Sequence, residues 1–196
     1  MVSSDSRFQH VADGLLLPAF VASHAVLDFC NTRAGWGEPE PREYLTSYDH
    51  LVVWAREAGF LEPGVATRLR RADGGDEVLA RALELRGAIY AACTGADDAA
   101  WDVVAAEAQR AAGAARLTRG AGWVIPEEVG AELPLLEVAR AAGTLLSSDD
   151  LTKVGRCPGH GCGWLFVDPR GRRRWCVMAV CGNREKARRH ARKVRA

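Results

Sequence analysis

The sequence predicts a mainly α fold: a helical N-terminal domain with one small β-hairpin, followed by a short cysteine-bearing module. Three observations predict it. Apolar residues recur at helical spacing through most of the first 150 positions. That period breaks once, at ARLTRGAGWVIP, where a glycine-rich turn separates two short apolar flanks. Beyond residue 150 the composition changes abruptly, and four of the six cysteines fall in the last 40 residues.

Taken in order, Phe20, Val21, Val26, Phe29 and Cys30 follow helical spacing and predict a first helix that stops at Asn31-Thr32. Ser47 is placed to cap a second helix, which runs through LVVWAREA to Gly59. Pro63 suits the first position of a short helix ending near Asp73. DEVLARALELRGAIYAAC sets Val78, Ala82, Leu85 and Ile89 on one face, with Leu79, Leu83 and Tyr90 beside it, the wide apolar stripe of a buried helix. An alanine-rich helix is expected from Asp98 to Ala112, then a hairpin between Leu117 and Trp123-Val124-Ile125. Pro134 opens a last helix, LPLLEVARAAGTLL, closed by Ser147-Ser148-Asp149-Asp150. That polar cluster sets the expected boundary between residues 1–150 and 151–196.

Charge divides at the same place. Residues 1–150 hold 13 Lys/Arg against 23 Asp/Glu, net −10, whereas residues 151–196 hold 13 against 2, net +11. Such a split points to a polyanionic partner, or to a basic tail packed on its own acidic domain. No run of about 18 uncharged apolar residues would span a membrane. The start, MVSSDSRFQHVADGLLLPAF, lacks the basic flank and long apolar stretch of a secretion signal, so the expected location is the cytoplasm.

The C-terminal cysteines are spaced as C-x4-C, thirteen residues, C-x4-C: Cys157, Cys162, Cys176 and Cys181. Disulfides compete as an account, but thiols of a cytosolic protein stay reduced, and paired short spacings then read as metal ligands. One structural zinc ion fits, since Zn²⁺ takes four thiolates in a closed tetrahedron at about 2.3 Å. Arg156, Arg172, Arg173 and Arg174 lie nearby in sequence to offset the site's negative charge. CPGHGC reads as a knuckle, WLFV as a strand, DPRG as a turn, RRRWC as the returning strand, and NREKARRHARKV as a helix that starts at Cys181. Knuckle, hairpin and basic helix make a treble-clef-like zinc module, too small to fold without its metal. His160 is a rival ligand, but four cysteines fill the shell, so it is expected on the exposed knuckle loop. Cys30 and Cys93, in apolar helical surroundings, read as core thiols.

RCPGHGCGWLFVDPRGRRRWCVMAVCGNREKARRHARK resembles the CGNR zinc-finger family, named for residues Cys181-Gly182-Asn183-Arg184. The likeness includes the knuckle, Phe166, Asp168, RRRWC, Lys186 and Ala187. Upstream, LDFCNT (Leu27 to Thr32) resembles the opening of the helical ABATE domain that precedes this finger. The resemblance implies a bacterial, stress-related transcription regulator whose N-terminal domain senses an unidentified small-molecule effector. His24, Asp28, Asn31, Thr32 and Arg86 are the polar groups offered for that ligand pocket, on the family analogy.

The residues themselves favour nucleic acid. On the helix from Asn183 to Val194, Ala187, Ala191 and Val194 form a thin seam able to pack on the hairpin. Arg184, Lys186, Arg188, Arg189, Arg192 and Lys193 face outward, with Glu185 the single acid. Six like charges along about 18 Å repel one another unless a polyanion neutralises them. Arg172, Arg173 and Arg174 add a second basic strip, with Arg172 and Arg174 on one face if that segment is a strand. These predict phosphate contacts, to DNA in preference to RNA. Asn183 is expected to cap the helix it begins, and Trp164 and Trp175 to cover the module's small core. The alternative is a zinc-stapled protein–protein interaction module with no nucleic-acid role. A regulator that reads a palindrome would form a homodimer, although no heptad or other dimer signature is present. No phosphate-binding glycine loop, nucleophile elbow or HExxH motif appears, so the chain is expected not to be an enzyme.

Overall fold

A computed structural model describes residues 8–95 and 98–195, with seven α-helices and four two-stranded antiparallel ladders among them. Most of the start of the chain read for a secretion signal is described, but residues 1–7 lie outside. No helix among the described residues is long and apolar enough to cross a membrane.

The chain opens on a hairpin that the helical reading passed over, β1 (Gln9–Ala12) against β2 (Leu15–Pro18). Asp13 (φ 49°) and Gly14 (φ 79°) form its two-residue turn, the left-handed pair that Asp-Gly adopts readily. The first helix, α1 (Ala25–Cys30), is shorter than expected. The Asp28 carboxylate accepts the backbone N–H groups of Val21 (2.8 Å) and Ala22 (2.9 Å) through one oxygen. That holds residues 20–23 outside the helix, and His24 caps it by accepting from Val26 N–H. A minimal ladder follows, β3 (Arg33–Ala34) with β4 (Arg42–Glu43).

The next elements follow the sequence closely. Ser47 caps α2 (Tyr48–Glu57), and Gly59 adopts φ 80° just past its end. Pro63 begins α3 (Pro63–Leu69), which stops short of Asp73. Helix α4 (Gly75–Thr94) buries Val78, Ala82, Leu85 and Ile89 as its periodicity requires. Helices α4, α5 (Ala99–Ala114) and α6 (Leu133–Leu146) pack on one another, while α1 and α2 pack on α4 and α6. Trp54 is fully buried, its ring 5.1 Å from that of Phe29. The expected hairpin, β5 (Arg116–Thr118) with β6 (Gly122–Val124), is present, and all six of its strand residues are exposed.

The last segment differs in connectivity. β8 (Leu165–Val167) pairs with β7 (Val154–Arg156), not with residues 172–176. RRRWC is no strand, because the Asp168 carboxylate accepts the N–H groups of Arg172 (3.0 Å) and Arg173 (2.8 Å) and curls the chain. The alternation expected to put Arg172 and Arg174 on one face therefore does not exist. A wide helical turn over Met178–Gly182 runs straight into α7 (Asn183–Arg195). Asn183 is not an N-cap: its side-chain amide donates back to Ala179 O at 3.0 Å, inside this continuous helix. The seam of Ala187, Ala191 and Val194 packs on no hairpin, and Val194 is 73% exposed.

Candidate metal centre and the surfaces around it

The first two cysteines come from the turn that joins β7 to β8. Cys157 N–H donates to Trp164 O at 2.8 Å, extending the ladder, and Cys162 N–H closes the knuckle on Gly159 O at 3.0 Å. Gly159 is needed for close approach: a Cβ there would stand 3.3 Å from the Cys181 sulfur and 3.5 Å from that of Cys157. Cys176 follows the Asp168 turn, and Cys181 lies two residues before α7, inside the wide helical turn over Met178–Gly182. All four Sγ atoms lie within 4.8 Å of one another, with Cys162–Cys176 at 3.5 Å and Cys176–Cys181 at 3.6 Å. A disulfide needs about 2.05 Å. A tetrahedron of Zn–S bonds of about 2.3 Å sets sulfurs roughly 3.8 Å apart, so the four fit one structural zinc ion.

Hydrogen bonds among the four sulfurs hold the Cys157 thiol below the usual thiol range and push Cys162 and Cys176 above it, so zinc must displace protons shared within the cluster as it binds. Burial pushes Cys93 up to about 12 and raises Cys30 well above its ordinary value. Those two are core thiols, remote from the cluster. His160 is exposed on the knuckle and is not among the converging ligand atoms.

The five residues expected around a ligand pocket are mostly engaged inside the protein instead. Asn31 is fully buried, and its amide accepts from Leu165 N–H (2.8 Å) and donates to Leu165 O (3.0 Å), so that it acts as a one-residue partner for β8. Thr32 donates to Phe29 O (2.6 Å) and accepts from Arg86 (2.9 Å). Arg86, 3% exposed, also grips both carboxylate oxygens of Glu43. His24 and Asp28 border an open cleft of about 400 Å³. Burial holds His24 below the ordinary imidazole range, which suits its role as an acceptor.

Further bonds fasten the zinc segment to the helical part. Tyr90 donates to Gly163 O (2.8 Å), Trp164 Nε1 to Arg33 O (3.1 Å), and Val167 N–H to Ala22 O (2.9 Å). Trp164 is buried, as expected of a residue that covers the small core, and Trp175 is half-buried against the same cluster. Leu165 belongs to the main hydrophobic core.

The cationic residues divide into two groups. Arg173 turns inward: its guanidinium lies 4.5 Å from the Phe166 ring centre and donates to the carbonyls of Val21, Trp175 and Cys176. Most of its donors thus serve the fold, which sets it apart from the other cations of the expected nucleic-acid set. Arg172, Arg174, Arg184, Lys186, Arg188, Arg189, Arg192 and Lys193 are all exposed. Glu185 pairs with Arg188 at 3.1 Å.

Sequence reasoning missed a second concavity, a groove of about 590 Å³ between residues 34–44, the knuckle and the root of α7. Arg42 lies over Tyr44 and Arg184 over Phe8, at 5.0 and 5.6 Å from the ring centres. The available signal was a cation two residues from an aromatic, Arg42-x-Tyr44, too common to stand alone.

Residues 23–149 match the family profile of ABATE, described as "Putative stress-induced transcription regulator". Residues 153–193 match that of the CGNR zinc finger. Among curated proteins none matches the chain. With 127 residues matched by the first profile and the four cysteines converging within the second, the chain belongs to the ABATE family and carries a CGNR zinc finger at its C-terminal end.

Proposed function

We propose that this protein is a zinc-dependent transcription regulator in which α7 binds nucleic acid, duplex DNA in preference to RNA. One observation carries the reading: α7 projects with Arg184, Lys186, Arg188, Arg189, Arg192 and Lys193 all exposed, and with Glu185 as its one acid. A helix that merely faced solvent would mix signs in i,i+4 pairs. This one concentrates like charge, and a polyanion relieves that repulsion. Arg172 and Arg174, exposed ahead of the helix, extend the cationic surface, whereas Arg173 serves the fold. The role is one of binding, with no catalytic step assigned to the chain.

Fluorescence-anisotropy titration of the zinc-loaded protein against labelled duplex DNA and RNA, at several salt concentrations, tests the reading. The expected result is binding with a steep salt slope, weakened when Arg188, Arg189 and Arg192 are replaced together by Ala, and tighter for DNA. Absence of binding at low salt overturns it.

A second reading is favoured by the exposed seam. Val194 (73% exposed) and Met178 (49%) leave apolar surface beside the cations, which suits a protein partner carrying acidic and apolar groups. Failure of the DNA titration would move the assignment there.

A further inference from the structure

We propose that the groove between residues 34–44 and the zinc module is an effector site for a mononucleotide, a planar base joined through a sugar to one phosphate. Its volume of about 590 Å³ lies within the range of small-molecule sites. Three chemistries converge there, and a mononucleotide presents the complement of each.

The first is an uncommitted pair of guanidinium groups. Arg42 and Arg184 lie over Tyr44 and Phe8, and among the described residues neither pairs with a carboxylate. A guanidinium is planar, and a ring over one of its faces leaves the N–H groups on its edge available to grip phosphate with two parallel bonds. A concave site focuses the field of these cations on whatever occupies it. The second chemistry is apolar. Phe8, half-buried at the groove, meets the buried Trp164 edge to face with centres 5.0 Å apart, and its ring is the aromatic surface that a planar base can meet there. The third is acceptor capacity. Glu38 and Glu40 line the same groove, exposed and without ion pairs among the described residues. Carboxylates beside a bound phosphate would repel a plain anion. They suit a ligand that also offers donors, such as ribose hydroxyls or an exocyclic amine.

The position of the groove supplies a regulatory consequence, which rests on the nucleic-acid reading above. Arg184 and Arg188 belong both to the groove and to the cationic face of α7. A phosphate held by Arg184 competes with nucleic-acid phosphate for the same cation, so the bound nucleotide lowers affinity for DNA.

Isothermal titration calorimetry of the zinc-loaded full chain with the four common ribonucleoside 5′-monophosphates tests the site directly, without DNA. At least one is expected to saturate at one per chain, with its free nucleoside and inorganic phosphate each binding at least 10-fold more weakly. Arg42→Gln is expected to weaken that binding at least 10-fold with zinc content unchanged, while Arg110→Gln, on the exposed side of α5 and outside both the groove and α7, leaves it unaltered. Arg184→Gln, on an exposed helix, gives the same readout if Arg42→Gln does not fold. The proposal is overturned if no monophosphate saturates, if inorganic phosphate binds as tightly as the nucleotide, or if the groove substitutions leave affinity intact. In a parallel anisotropy assay the bound nucleotide is expected to weaken duplex binding. Calorimetric saturation without any DNA binding keeps the site and removes only the nucleic-acid reading, so the two failures are distinguishable.

Discussion

The side chain of Asn31 takes the place of a neighbouring β-strand for Leu165, accepting from its N–H at 2.8 Å and donating to its carbonyl at 3.0 Å. The two residues are 134 positions apart, and both are fully buried. Through this pair the polar LDFCNT segment becomes the seat of the zinc module. Asp28 shapes the turn before α1, Asn31 receives β8, and Thr32 orients Arg86.

Asn31→Ala leaves both backbone groups of Leu165 buried and without their partner. At about 1–3 kcal/mol for each unsatisfied group, partly relieved by relaxation, the loss should be about 2–4 kcal/mol. Urea denaturation should show that loss, and native-state hydrogen exchange should show the Leu165 amide among those that lose most protection. Unaltered exchange at Leu165 would count against this pair as the fastening point.

Legibility in the sequence followed how local each determinant was. Ser47, Pro63 and the stripe along α4 act within one element, and they predicted α2, α3 and α4 closely. Cys157, Cys162, Cys176 and Cys181 announced a metal site by spacing alone, because a knuckle needs little beyond its own turn. The Asp13-Gly14 hairpin is also local, but its flanks QHVA and LLLP are short and do not alternate polar with apolar, so no strand period stands out. The pairing of β8 with β7 was not legible: it turns on Asp168 capturing two N–H groups that a strand would have used. Nor were the partners of Asn31 and Arg173, since hydrogen bonds across more than 100 residues leave no periodic trace.

Asp28 should make stability depend on pH in an unusual direction. Burial pushes its carboxyl from the ordinary 3.8 up to about 6, against the hydrogen bonds from Ala22 and Val21 that favour the charged form. The folded state therefore binds the proton more tightly than the unfolded state. Its contribution is full below about pH 4, is lost as pH rises from about 4 to 6, and is constant above that. Two pH units correspond to about 3 kcal/mol as an upper figure. Val21 and Ala22 both donate to one oxygen, which an amide can replace, so Asp28→Asn keeps both bonds and cannot ionise. The variant should exceed wild type in stability at pH 7 by up to about 3 kcal/mol, and the difference should shrink toward pH 4. A difference that does not change with pH would show that Asp28 is already ionised across this range.

Removal of zinc should reach beyond the module. Four crowded thiols without a metal leave the knuckle and the turn at Cys181 unsupported, since binding energy there is folding energy. Leu165 and the partly buried Val154 and Val167 pack in the main core, so loosening β7 and β8 strips cover from the helices as well. Chelation, or Cys157→Ser, should lower the melting temperature of the whole protein while most helical circular dichroism is retained below the transition. An unchanged melting temperature would mean that the helical part is stable without the segment docked on it.

Arg173 and Arg189 look alike in the sequence, and the structure gives them opposite duties. Arg173 donates to three backbone carbonyls and lies over Phe166, whereas Arg189 is exposed on α7 with no ion pair among the described residues. Arg173→Ala removes charge-assisted bonds that hold the loop between β8 and Cys176, and should cost about 2–4 kcal/mol. Its melting temperature and zinc retention should fall, and DNA affinity should fall only as far as the folded fraction does. Arg189→Ala should leave stability within about 0.5 kcal/mol of wild type. If α7 meets phosphate there, the same substitution should lower the slope of log affinity against log salt by about one. Thermal melts and salt-dependent anisotropy on the two single variants separate a residue that builds the finger from one that uses it. Equal losses of stability in both would contradict the assignment.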